Sequence, residues 1–200
     1  MSRLRLIRIL SLALAAVLTA TMGYLVLTRP QVTQQIAAVA DVGGPFRLAS
    51  VKGGVVDSKD LAGKPFGVFF GFTHCPEVCP TTMYEMSAAL AKLGDEARDF
   101  RLFFITVDPE RDTADFLKDY LANFDPRIEA LVPTPEELAK IARDYRAFYA
   151  KVNTSDGGYT MDHTATVYLM DRQGKLASTL YFGEAEEPRL KKLRSLLTKG

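Results

Sequence analysis

The hydrophobic pattern changes period several times along the chain, and each change predicts an element. Ile9 to Leu27 is a run of nineteen residues without a charge. As a helix rising about 1.5 Å per residue it would span roughly 28 Å, near the hydrocarbon thickness of a bilayer. Pro45 to Asp57 alternates around Gly53-Gly54, which predicts a β-hairpin, because paired glycines permit the positive φ of a tight turn. Pro65 to Phe72 (PFGVFFGF) is apolar throughout, as in a central strand buried on both faces. After Pro80, Met83, Met86, Ala89, Leu90 and Leu93 recur at three and four residues, predicting a helix that Gly94 ends. Arg101 to Val107 reads as a second buried strand closed by Asp108-Pro109. A helix from Thr113 to Phe124 follows, with Phe116, Leu117, Tyr120 and Leu121 on one face. Another begins at Thr134, a capping residue, with Pro135 in the first helical position, and runs to Tyr149. The period then returns to two. Thr164 to Asp171 and Lys175 to Phe182 form a hairpin about Asp171-Arg172-Gln173-Gly174, and Glu186 to Lys199 is a closing helix.

Strand, helix, strand, helix, helix, hairpin, helix is an α/β order of the thioredoxin-like kind, with an N-terminal β-hairpin and an inserted helix, preceded by one transmembrane helix. The domain organisation that follows is a cytoplasmic n-region over residues 1–8, a transmembrane signal anchor over 9–27, a flexible linker over 28–43 and a thioredoxin-like domain over 44–200. Ala38-Val39-Ala40 has the form of a signal-peptidase site, but it lies too far beyond the apolar run for an ordinary signal peptide, so an uncleaved anchor is expected. Arg3, Arg5 and Arg8 precede the run and no acid does. The positive-inside rule therefore keeps the N-terminus in the cytoplasm, giving a single-pass bacterial inner-membrane protein with its domain in the periplasm.

Charge removes one class of function. The 200 residues hold 25 Lys+Arg and 24 Asp+Glu, and four of the arginines lie in residues 1–29 with no acid. Residues 30–200 thus carry 21 basic against 24 acidic groups, the wrong sign for a nucleic-acid partner. Hydrophobic residues make up 48%, enough for a core without disulfide staples. With two Cys and two His in all, soft-metal or thiol chemistry has only Cys75, Cys79, His74 and His163 to draw on.

The segment Gly71-Phe72-Thr73-His74-Cys75-Pro76-Glu77-Val78-Cys79-Pro80 joins the first central strand to its helix, at the carboxyl edge where open α/β sheets place ligands. A cysteine at a helix mouth gains from free N–H groups and the helix dipole, which lower its pKa. Cys79, four residues on, falls on the same helical face with its Cα about 6 Å away. That separation suits either a disulfide or two sulfurs on one metal ion. A purely structural disulfide there would close a five-residue ring and stabilise little. His163 precedes a predicted strand, where thioredoxin-like folds usually place a cis-proline against the cysteines. A histidine before a strand is ordinarily a surface or packing residue, but one facing two thiols completes a soft donor set suited to copper, with zinc as competitor.

The runs FTHCPEVCP, TVDPERDT, FDPRIEALVPTPEELAKIARDYRAFY and YTMDHTATVYLMDRQG resemble the Sco/SenC (PrrC) family of membrane-anchored, thioredoxin-like copper proteins, over residues 44–185. The resemblance implies a copper metallochaperone holding Cu(I) or Cu(II) through Cys75, Cys79 and His163. It further implies delivery to the oxidase subunit that carries the dinuclear CuA centre of cytochrome c oxidase, with a copper-donor chaperone and a periplasmic thiol reductant as further partners. Two departures stand out. Glu77 replaces the family's usual Asp between the cysteines, and Leu131-Val132-Pro133 replaces a Gly-containing turn, a change expected to affect a surface loop.

The remaining signals are weaker. His74 neighbours Cys75 but points the opposite way in an extended segment. Asp162 is either a partner of His163 or a solvated turn residue, and Met161 is expected to pack in its loop. Asp112 reads as a helix cap. The alternative function is a membrane-anchored thiol-disulfide oxidoreductase with Cys75 attacking and Cys79 resolving. The CxxxC spacing, the missing proline and a histidine without a reductase duty weigh against it.

Overall fold

In a computed structural model of the chain, residues 3–28 and 42–198 are described, and the chain divides into two compact units, Met1–Val39 and Ala40–Gly200. The described residues of the first unit form the helix α1 (Arg3–Thr28), on which Leu10, Leu12, Leu18 and Met22 are exposed. Among the described residues no helix is long and apolar enough to cross a membrane. The charge-free run extends to Leu27, past Tyr24, the last residue of α1 whose side chain is described. Most of the expected linker, and the Ala38-Val39-Ala40 site, lie outside the described residues.

The second unit is built on a seven-stranded sheet. Its strands are β1 (Arg47–Ser50), β2 (Val55–Asp57), β3 (Phe66–Gly71), β4 (Arg101–Thr106), β5 (Ile128–Val132), β8 (Thr166–Met170) and β9 (Leu176–Tyr181), in spatial order β2-β1-β5-β4-β3-β8-β9. A separate two-stranded sheet pairs β6 (Tyr149–Asn153) with β7 (Tyr159–His163). The helices are α2 (Val78–Leu93), α3 (Ala114–Leu121), α4 (Pro135–Asp144) and α5 (Glu186–Thr198).

The expected apolar run forms the centre. All six residues of β3 are buried, and β3 pairs in parallel with β4 from Phe66↔Arg101 to Gly71↔Thr106. On its other side β3 runs antiparallel to β8. Phe46, Phe66 and Phe103 pack edge to face at 6.0–6.3 Å between ring centroids, the arrangement that opposes positive ring edges to negative faces. The N-terminal hairpin turns through Gly53 and Gly54, both at positive φ, and docks β1 antiparallel on β5.

Besides the β6–β7 sheet, three features depart from the sequence reading. Strand β5 occupies the segment between the two middle helices, and Leu131 and Val132 end it, so the Leu-Val-Pro departure falls on a sheet strand rather than a surface loop. Helix α4 stops at Asp144; Tyr149 already belongs to β6, because Arg146 takes a positive φ and breaks the helix. Helix α2 starts at Val78, two residues before Pro80, which puts Cys79 inside its first turn.

Candidate metal centre

The carboxyl ends of β3 and β4 converge where three donors meet. Cys75 Sγ, Cys79 Sγ and a ring nitrogen of His163 all lie within 4.8 Å of one another. Both cysteines are buried and reduced, Cys79 completely, and His163 is half-buried. Each reaches the cluster by a different route.

Cys75 closes a β-turn in which its N–H donates to Phe72 O at 3.3 Å, with Thr73 and His74 at the two central positions. Glu77 is the N-cap of α2, yet its side chain makes no capping bond. Cys79 N–H instead donates to Cys75 Sγ at 3.4 Å, so the sulfur accepts a helix-terminal donor that a Ser or Asp would usually satisfy. Cys75 Sγ therefore lies at a helix N-terminus, where the thiolate form is favoured. Donation from the Cys79 thiol above all, and from the Cys79 and Glu77 N–H groups, pulls its pKa down to about 3 against the opposing cost of burial. The same bond pushes Cys79 upward, and burial and the Cys75 charge add to it. In the metal-free pair the proton is thus favoured on Cys79 over Cys75.

Cys79 Sγ also rests against the end of β3. A Cβ on Gly71 would come within 3.0 Å of that sulfur and 2.7 Å of the Phe69 ring, so only glycine leaves the sulfur its place. His163 ends β7. Its ring stands edge-on to Phe69 and Phe72 at 6.0 and 5.7 Å. Its Nδ1 lies 3.2 Å from Thr164 O, an acceptor only, so Nδ1 carries the proton and Nε2 is left as the lone-pair nitrogen. Nε2 lies 3.5 Å from Cys79 Sγ. Two thiols and an imidazole already in the ligating tautomer form a donor set that fits a soft, low-coordinate ion such as copper.

The neighbours sort clearly. His74 points away from the cluster: its ring stacks on exposed Phe116 at 5.6 Å, and its Nδ1 meets Thr73 Oγ1 at 3.1 Å. Glu77 and Asp162 are exposed, and Met161 is buried in the core. Asp112 is not a helix cap. Thr113 caps α3 by accepting from Phe116 N–H, while the fully buried Asp112 accepts from Thr73 and Thr106. Sequence reasoning also missed the ties on the β6–β7 hairpin. Arg111 pairs with Asp108, donates to Tyr159 O at 2.9 Å and lies 3.7 Å from the Tyr159 ring centroid. Tyr159 OH donates to Asp108 at 3.0 Å, and Lys151 pairs with Glu110 at 2.7 Å. The one signal for these ties was the charge-dense run Asp108-Pro109-Glu110-Arg111-Asp112 at the sheet edge.

Comparison with known proteins gives a consistent result. The SCO1/SenC family profile matches residues 34–198. The mitochondrial protein SCO1 homolog 1 of Arabidopsis thaliana is 41% identical over 135 residues, 67% of this chain and 40% of its own length. The copper-bound structure of ScoI from Bradyrhizobium japonicum is 46% identical and superposes with a TM-score of 0.71, covering 78% of this chain and 99% of that one. BsSco, described as a member of the Sco family of cytochrome c oxidase assembly proteins with a disulfide switch, shares the fold at 24% identity and a TM-score of 0.64, covering 81% of this chain and 96% of that one.

Proposed function

The chain belongs to the SCO1/SenC family, and from that membership we propose that it is a copper metallochaperone whose Cys75, Cys79 and His163 hold the ion it delivers. The observation that carries the reading is the Cys-Cys-His cluster itself, three donors within 4.8 Å with Nε2 of His163 turned to the sulfurs. Copper here is cargo. The thiolate pair favours Cu(I), and the imidazole supplies the harder donor that Cu(II) prefers. Binding to both sulfurs displaces the proton that Cys79 retains, so uptake releases a proton and release to another thiolate-rich site takes one up. The acceptor we infer is the cytochrome c oxidase subunit that carries the CuA centre, in line with the oxidase-assembly role stated for the Sco family of BsSco. A copper-donor chaperone and a periplasmic thiol reductant complete the cycle, since oxidation to a Cys75–Cys79 disulfide would remove both sulfur ligands.

The charge-free run of residues 9–27 behind three arginines supports a single transmembrane anchor with the domain in the periplasm of a bacterial inner membrane. Fusing a periplasm-dependent reporter after residue 200 tests it: activity and membrane fractionation are expected, and a soluble cytoplasmic product overturns it.

A second reading has one observation in its favour. The low pKa of Cys75 beside a protonated Cys79 is the pattern of an attacking thiolate and its resolving partner. Against a reductase, Cys75 is only 8% exposed, and a histidine nitrogen rather than a cis-proline faces the pair, with no cis peptide among the described residues. Copper-free protein incubated with insulin and a thiol reductant separates the two. The chaperone reading expects no catalysed turnover, and catalytic turnover favours the oxidoreductase.

A further inference from the structure

The turn that delivers Cys75 has an unusual composition. Its central residues are Thr73 and His74, neither of them the Gly, Pro, Asn or Asp that sets a turn by its own φ preference or local bonding. The turn's own residues thus do little to fix it, and Asp112 is placed to hold it from outside. Its carboxylate is fully buried and, among the described residues, has no Lys or Arg partner; the neighbouring Arg111 is engaged with Asp108. Three donors satisfy it instead. Thr73 N–H reaches Oδ2 at 3.1 Å and Oδ1 at 3.3 Å, Thr73 Oγ1 donates to Oδ1 at 2.5 Å, and Thr106 Oγ1 donates to Oδ2 at 2.6 Å. His74 Nδ1 stands 3.9 Å from the same carboxylate. Both central turn residues are therefore gripped by the start of α3: Thr73 by Asp112, and His74 by the stacked ring of Phe116.

A buried carboxylate without a cation is costly, and one kept for fold stability alone would more cheaply be an apolar side chain of the same shape. Its donors come from the end of β4 and from the residue two positions before Cys75. Resting on the copper reading above, we propose that Asp112 is a positioning residue, which holds the Thr73–His74 turn so that Cys75 Sγ meets Cys79 and His163. Asp112 touches no ligand atom. It acts through the backbone of Thr73, in the way that outer-shell partners of metal ligands fix ligand geometry.

The test uses the full-length protein with Asp112→Ala, Asp112→Asn, Thr73→Val and Thr73→Ser, and two readouts. One is Cu(I) affinity against a competing chelator. The other, free of metal, is the equilibrium for closing the Cys75–Cys79 disulfide in a glutathione buffer, which reports how well the two sulfurs are juxtaposed. Asp112→Ala is expected to weaken Cu(I) by ~10–100-fold, the range for lost outer-shell partners, and to lower the disulfide equilibrium by about tenfold. Asparagine keeps an oxygen acceptor for Thr73 and an amide that a threonine hydroxyl can accept, so Asp112→Asn should stay within about threefold of wild type, as should Thr73→Ser. Thr73→Val removes one bond and should fall between. If Asp112→Ala lowers the melting temperature while both readouts match wild type, Asp112 is only a brace of the fold and the proposal is overturned. If Asp112→Ala does not fold, Thr73→Val decides: loss in both readouts supports the proposal, and wild-type values overturn it. A wild type that binds no copper would defeat the chaperone reading alone, because the disulfide readout still tests Asp112.

Discussion

The two sides of the metal centre are built differently. The cysteines sit on the central layer: Cys79 is in the first turn of a helix packed on the core, its sulfur pressed against Gly71, and Cys75 is held in a turn by a buried carboxylate. His163 sits on a two-stranded sheet outside the main one, with β6 half-buried to exposed along its length. Side chains rather than ladder bonds tie that hairpin to the β4–α3 connection, through Arg111, Tyr159 and Asp108. Close packing has few alternative arrangements, whereas an element held by a few polar contacts opens at lower free energy. The thiols therefore form the fixed half of the site and the imidazole the adjustable half.

Substitutions can break or sharpen this contrast. The largest effect is expected on the fixed half: Cys75→Ser or Cys79→Ser should weaken Cu(I) by more than about 100-fold, beyond the range for lost outer-shell partners, in a competitive titration. Next, His163→Ala should weaken Cu(II) by at least ~10-fold and alter its visible spectrum, while the Cys75–Cys79 disulfide still closes at the wild-type equilibrium. A disulfide equilibrium that moves with His163 would mean that the halves are not separable.

A smaller effect follows from protons. The bond between the two sulfurs lowers the Cys75 pKa and raises that of Cys79, so copper binding to both is expected to displace one sulfur-bound proton. Apparent Cu(I) affinity should rise by about tenfold per pH unit between pH 7 and 9, and a flat profile would mean that the pair has no proton to lose. Smallest is the hairpin clamp. Arg111→Ala should lower Cu(II) affinity by less than about tenfold yet raise amide exchange across residues 149–163, leaving exchange in β3 unchanged.

What the sequence disclosed follows the same division. The apolar run of β3, the three- and four-residue spacing of α2 and the Thr134 cap with Pro135 all express local rules, and the structure has them. Strand β5 was hidden because it is five residues long with Glu129 as its second residue. That carboxylate is buried only because Ser50 and Arg101, far away in sequence, bind it. The β6–β7 hairpin was hidden because Lys151, Val152 and Asn153 are all exposed in β6, so apolar and polar positions do not alternate along it. Asp112 was misread for a related reason. Its neighbour Thr113 makes the local cap, and the partners that define Asp112 lie at Thr73 and Thr106. Cys75 and Cys79 were legible from their spacing; the tautomer of His163, fixed by Thr164 O, was not.

X-ray absorption at the copper edge of the Cu(I)-loaded protein, beside His163→Ala, tests the central claim most directly. The account predicts a shell of two sulfurs and one nitrogen in the wild type, with the nitrogen lost in the variant and both sulfurs kept. A shell of nitrogen and oxygen alone, or a wild-type spectrum unchanged by His163→Ala, would contradict it.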